Sequence, residues 1–258
     1  MCPVLATVVS CVLLAEAGVP AAARQTGAEE TAAGAPKPAG ARGGLFRQLG
    51  RDFRHFVDRD NLLILAAGSA ASLAVHPADR TITRSFRDSE ALDGFFEAGD
   101  VGGDGLVQVG GAVATYLVGR LAHNTAIRSL GSDLVRAQVV SGALVQALKR
   151  ATQRTRPDGS NDYSFPSGHA SATFATATVL ERHFGWKVGI PAFAFATYVA
   201  GSRLQENKHF PSDVVFGATL GIVGGRSVTF GRARARAVVA PFVAPGRGLG
   251  VAVVGEWR

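Results

Sequence analysis

Apolar residues collect in six stretches, 62–75, 106–121, 134–148, 170–180, 188–200 and 214–223, separated by short segments containing Gly, Asp and Pro. Their length and alanine content predict helices. A bilayer crossing takes about 20 mainly apolar residues, and most of these stretches meet a charge sooner, as at Arg120, Arg136, Glu181 and Arg226. The pattern predicts a globular helical bundle. A membrane-embedded bundle is the alternative, because residues 61–77 contain no Asp, Glu, Lys or Arg.

The flanks follow other rules. Over 45–57, Leu45, Phe46, Leu49, Phe53, Phe56 and Val57 recur at helical spacing with Arg47, Arg51 and Arg54 between them, which predicts an amphipathic basic helix within 45–60. Such a helix lies on an anionic membrane or docks its aromatic face on the domain. At the other end, two alternating runs flank Pro245, Gly246, Arg247 and Gly248, predicting a β-hairpin extension over 231–258 beyond a main domain of 61–230. Residues 24–44, rich in Ala, Gly and Pro, bury too little to offset the entropy of ordering and read as a flexible linker. Residues 1–23 run through an apolar stretch to Ala21, Ala22 and Ala23, the form of a signal peptide. No Lys or Arg precedes that stretch, so an uncleaved anchor is the other reading; both imply export to the periplasm or cell envelope.

Composition narrows the partners. The chain has 258 residues, enough for one catalytic domain, and 27 Lys and Arg against 20 Asp and Glu give a net charge of +7. Loss of residues 1–23, whose single charge is Glu16, moves +7 to +8. A basic exported protein suits phosphorylated substrates or an acidic membrane surface. Its basic residues are scattered along the sequence rather than striped, which argues against nucleic acid. Both cysteines, Cys2 and Cys11, fall in the signal-like segment, so the remainder has neither a disulfide framework nor a thiolate metal site.

Three polar segments carry the candidate chemistry. Lys149 and Arg156 are seven residues apart with Pro157 following, so a helix ending at the proline would present both cations on one face, two turns apart. Arg grips two phosphate oxygens with a planar fork and Lys adds a compact charge; the same residues also suit an ordinary basic helix end. Ser167, Gly168 and His169 open an Ala- and Thr-rich helix. Backbone N–H groups there favour an anion, Ser167 adds a hydroxyl and Gly168 permits close approach; a plain Ser N-cap fits equally well. In the third, Arg203 is followed by His209 and Asp213. The last two are four apart and share a helix face, so Asp213 can fix the tautomer of His209. Alone, that pair also reads as a surface ion pair.

Taken in order, K-x6-R-P, P-S-G-H and S-R-x5-H-x3-D resemble the motifs of the type 2 phosphatidic acid phosphatase superfamily, and every motif position is matched. The resemblance covers roughly residues 62–226. It implies an all-α helical bundle of the acid phosphatase/vanadium haloperoxidase type and a phosphatase acting on phosphate monoesters or diphosphates, with lipid or polyprenyl phosphates or small molecules as substrates. It further implies that His209 attacks phosphorus to give a phosphohistidine, Asp213 orients it, and His169 protonates the leaving oxygen and then activates water. Lys149, Arg156, Ser167, Gly168 and Arg203 would hold the phosphoryl oxygens. No metal or other cofactor is implied, and vanadate is expected as an inhibitor.

Two other readings stay open: a vanadium-dependent haloperoxidase, for which the chain is short, and a non-catalytic envelope module binding phosphate or lipid head groups. His55, His76, His123 and His183 lack the spacing of a metal site and are assigned structural or surface roles.

Overall fold

The computed structural model describes residues 45–89, 92, 94–229, 236–243 and 249–256. The expected signal segment and linker, 1–23 and 24–44, lie outside the described residues. The helices are α1 (Leu45–Phe56), α2 (Arg59–Val75), α3 (Asp79–Arg87), α4 (Glu97–Gly103), α5 (Gly105–Leu121), α6 (Thr125–Thr152), α7 (Gly168–Phe184), α8 (Trp186–Gln205) and α9 (Pro211–Val228). All six apolar stretches lie within helices, so the fold is all-α as expected. Helices α3 and α4 were not anticipated, since they are short and mostly polar or glycine-rich.

Local chemistry starts the helices. Asp104 accepts from the backbone N–H of Leu106 and Val107 at the head of α5, and Asn124 does the same for Ala126 and Ile127 at the head of α6. Each side chain satisfies donors that a helix leaves unpaired.

The bundle is drawn together by small residues. On α9, Gly217, Gly221 and Gly225 are four apart and share one face. A methyl group on Gly217 would overlap the Ser167 carbonyl, one on Gly221 the Ser171 carbonyl, and one on Gly225 would crowd Ala175 and Thr178. Helices α7 and α9 thus touch along their backbones, and Ser167 N–H donates to Asp213 O at 3.0 Å. Ala137, Val140, Ala175, Val179, Leu220 and Val223 form the core around this seam.

Helix α1 docks on the domain. Phe56 is buried in the core, Leu49 packs against it, and buried Asp52 receives two hydrogen bonds of 2.6 Å from Arg136 on α6. Arg136 also binds Asp133, whose other oxygen lies 2.9 Å from His183 Nε2. His183 is therefore structural, at the end of the bundle opposite the motif residues.

Helices α2 and α5 are apolar outward. The buried residues of α2 are Asn61 and Ser72, while Leu62, Leu63 and Leu73 are exposed. Asn61 bonds the His55 carbonyl, Ser227 and Arg226, and Ser72 bonds the Ser212 carbonyl. Along α5, Leu106, Val107, Val109, Val113, Leu117, Val118 and Leu121 are exposed. A water-soluble bundle rarely shows such continuous apolar surface.

Strands β1 (Arg236–Val243) and β2 (Leu249–Glu256) pair antiparallel, Arg236 opposite Glu256 and Val243 opposite Leu249.

Candidate active site

The three motif segments meet at one end of the bundle, where α6 gives way to a loop, α7 begins, and α8 turns into α9. One sequence expectation changes here. Lys149 and Arg156 do not share a helix: α6 ends at Thr152, and Gln153 is left-handed with φ 43°. Arg156 sits in the following loop, its N–H bonded to the Asn161 carbonyl at 2.9 Å. The chain leaves the helix early because Arg154 is drawn to the carboxylates of Asp79 and Asp213, at 2.7 and 2.6 Å.

Lys149 is buried near the end of α6, and its ammonium donates to the Tyr163 carbonyl. Burial, with the Arg156 charge adding to it, pulls its pKa down to about 8. Ser167 is fully buried and caps α7, its Oγ 3.4 Å from Ala170 N–H. The N-cap reading thus holds for Ser167, and its place beside the helix N-terminus is unchanged. A methyl added at Gly168 would meet only Val145 Cγ1, at an ordinary contact distance of 3.8 Å. Its lack of a side chain leaves the helix terminus approachable rather than serving packing.

His169 projects from the first turn of α7. Its Nε2 is 3.4 Å from Asp100 Oδ1, with no hydrogen bond made among the described residues. Burial and then the nearby Arg203 charge lower its pKa to about 4. Arg203 is buried, and its guanidinium is held by Asp100 and Glu206; the hydrogen bond from Arg203 lowers the Asp100 pKa in turn.

His209 is 2% exposed and precedes α9, whose first residue is Pro211. Its Nδ1 lies 3.8 Å from Asp213 Oδ2, near enough for electrostatic support but too long for a hydrogen bond. The Asp213 carboxylate is otherwise engaged: Oδ2 accepts from Ser164 Oγ at 2.5 Å and Phe210 N–H at 2.9 Å, and Oδ1 from Arg154 at 2.6 Å. Burial works to raise the Asp213 pKa, and these partners hold it below the ordinary range. For His209, burial lowers the pKa to about 4 against the pull of Asp213, with Lys149 and Arg156 adding to the lowering. Both imidazoles are therefore neutral near pH 7.

The eight predicted residues thus gather into two linked groups, His209 with Asp213, Lys149 and Arg156, and His169 with Arg203, Ser167 and Gly168. Sequence reasoning missed the residues that hold them. Ser164, Arg154, Asp79 and Ser212 fix Asp213, with Asp79 accepting from Ser212 N–H at 2.9 Å and Ser212 Oγ at 2.5 Å, while Asp100 and Glu206 fix Arg203. Of these, Arg154 and Ser164 were detectable as polar residues inside the motif region; Asp79 and Asp100 had no local signal.

This arrangement places two neutral imidazoles, three cations and a helix N-terminus together, a set suited to attack on a phosphoryl centre and neutralisation of its charge. Comparison with known proteins finds phosphatases. Residues 131–235 match the model of the PAP2 superfamily. Over 101 residues the chain is 37% identical to a lipid A 1-phosphatase of Porphyromonas gingivalis, covering 38% of this chain and 22% of the relative. Over 109 residues it is 35% identical to the decaprenylphosphoryl-5-phosphoribose phosphatase of Mycobacterium tuberculosis, covering 38% and 60%. The chain thus spans from about a fifth to three fifths of the length of these relatives. Among solved structures, a transmembrane PAP2 type phosphatidylglycerolphosphate phosphatase from Bacillus subtilis shares the fold, with TM-score 0.53 and 24% identity over 69% of this chain and 94% of that one. The matched segment contains every motif position from Lys149 to Asp213, and over it the chain is similar to the PAP2 superfamily.

Proposed function

We propose that the protein is a metal-independent phosphatase of the cell envelope that hydrolyses lipid or polyprenyl phosphates through a phosphohistidine. The observation that carries this reading is the buried, neutral His209 beside Asp213, within the field of Lys149 and Arg156. A neutral imidazole keeps the lone pair that attack requires. With Nδ1 facing Asp213, Nε2 attacks phosphorus; a P–N bond forms as the ester P–O bond breaks, and the positive charge on the ring is offset by Asp213.

The leaving oxygen takes a proton from His169. That group needs an imidazolium in the complex, and a phosphoryl dianion beside Arg203 cancels part of the field that, after burial, depresses its pKa. In the second half, neutral His169 takes a proton from water, the hydroxide attacks phosphorus, and the P–N bond breaks to regenerate His209. Lys149, Arg156 and Arg203 neutralise charge at the phosphoryl oxygens. For Arg203 to do so, its hold on Asp100 and Glu206 must be shared with the substrate.

The lipid component of the reading rests on the apolar outer surfaces of α2 and α5. Residues Arg59–Arg87 are the one stretch among those described that is long and apolar enough to cross a membrane.

The test is turnover of phosphatidic acid and a polyprenyl phosphate by wild type and His209→Ala. Loss of about 10³-fold or more is expected, together with loss of an acid-labile phosphoenzyme, and EDTA should leave wild-type activity unchanged. A variant of undiminished activity would remove His209 from the mechanism.

A further inference from the structure

Beside the motif residues, α3 and the loop after α6 enclose a cleft of about 820 Å3 lined by Arg80, Arg84, Arg87, Arg154 and Arg156. Arg80, Arg84 and Arg87 follow i, i+4, i+7 spacing and share one face of α3. The single acid in the lining, Asp79, is already bound to Arg154 and Ser212. Arg87 pairs with Asp88, both exposed; no described acidic residue pairs with Arg80 or Arg84. With Arg87 paired to Asp88 and Arg154 to Asp79 and Asp213, Arg80, Arg84 and Arg156 are left without an ion pair among the described residues.

A second observation is independent of charge. Thr83, which lines the same cleft, is 3% exposed, and its hydroxyl has no hydrogen-bond partner. Arg156 Nε is also buried without a partner. Buried donors left unmade are costly, and guanidinium forks with a hydroxyl match the oxygens of a phosphoryl group. Arg156 joins the two regions, since it lines the cleft and contributes to the field at His209.

We propose that this cleft binds a second phosphoryl group, one that is not cleaved, so that the preferred substrates carry two. The inference rests on the phosphatase reading for the identity of the cleaved group. The ligand chemistry is a phosphoryl dianion, and its source is either the substrate itself or free orthophosphate.

The experiment measures binding without turnover. Full-length His209→Ala in detergent is titrated calorimetrically with glucose 1,6-bisphosphate, glucose 1-phosphate and orthophosphate, with and without Arg80→Ala and Arg84→Ala. The bisphosphate should bind about tenfold more tightly than the monophosphate. The two arginine substitutions should erase that advantage and leave monophosphate affinity unchanged, and Thr83→Val should reduce it. Equal affinity for the two sugars, or an advantage indifferent to the arginines, overturns the proposal. Arginine-dependent orthophosphate binding with no bisphosphate advantage assigns the cleft to free phosphate and overturns the substrate role. Failure of the phosphohistidine mechanism shows separately, as persistent activity of His209→Ala.

Discussion

His209 and Lys149 are both buried, and burial acts on them in the same direction, favouring the neutral form. In the proposed mechanism the consequences are opposite. His209 must be neutral to attack, and its pKa near 4 leaves it so throughout the neutral range. Lys149 must be charged to neutralise the phosphoryl group, and its pKa near 8 means that charge is lost as pH rises through that value. The expected outcome is an alkaline decline in kcat/KM centred at about pH 8. Lys149→Arg should remove the decline, because guanidinium stays protonated over the accessible range. A decline that persists unchanged in Lys149→Arg would assign it to another group. At this scale the sequence was informative for residues whose type and spacing mark the candidate site and which the fold brings together: Lys149, Arg156, His169, Arg203, His209 and Asp213. It was silent on Asp79 and Asp100, because the contacts that give them meaning join positions such as 100 and 203, which only folding brings together.

Elements explain why those residues meet. The α7–α9 seam is set by Gly217, Gly221 and Gly225, and Gly217 lies at the site end of it, against Ser167. Gly217→Ala would drive a methyl into the Ser167 carbonyl and separate the segment carrying Ser167 and His169 from that carrying His209 and Asp213. Overpacking of this kind costs about 1–3 kcal/mol, and a shift of about 1 Å in a catalytic constellation costs on the order of 100-fold in rate. Denaturant melts and turnover of Gly217→Ala should show both losses. Full activity in a destabilised variant would mean the seam supports the fold without positioning the site. Helix positions were legible in the sequence because apolar stretches of this length leave few alternatives. Helix ends were not: α6 stops at Thr152, short of Pro157, because Arg154 is drawn to Asp79 and Asp213, two acids supplied by α3 and α9. The basic residues also changed meaning, for Arg80, Arg84 and Arg87 lie far from Arg154 and Arg156 in the sequence yet line one cleft with them.

For the whole molecule, the open choice in the sequence was between a globular and a membrane-embedded bundle, and hydropathy could not decide it because a buried core helix is as free of charge as a spanning one. Burial in α2 favours the membrane-embedded one. In α2 the buried positions are Asn61 and Ser72 and the exposed ones include Leu62, Leu63 and Leu73, the arrangement expected when lipid rather than water lies outside. Helix α1 would offer a second, weaker attachment, since Phe53 and, just after the helix, Val57 are exposed although Phe56 is buried in the core. These two modes respond differently to solvent. Electrostatic attachment through a basic helix is released by high salt, whereas apolar contact through α2 and α5 is not. The protein is therefore expected to remain in the membrane fraction through high salt and alkaline carbonate and to leave it with detergent. Replacing Leu62, Leu63 and Leu73 by Gln should shift it toward the soluble fraction without moving any residue of the His209 site. Release of the wild-type protein by salt alone would place α2 and α5 in water and require a protein partner to cover their apolar faces.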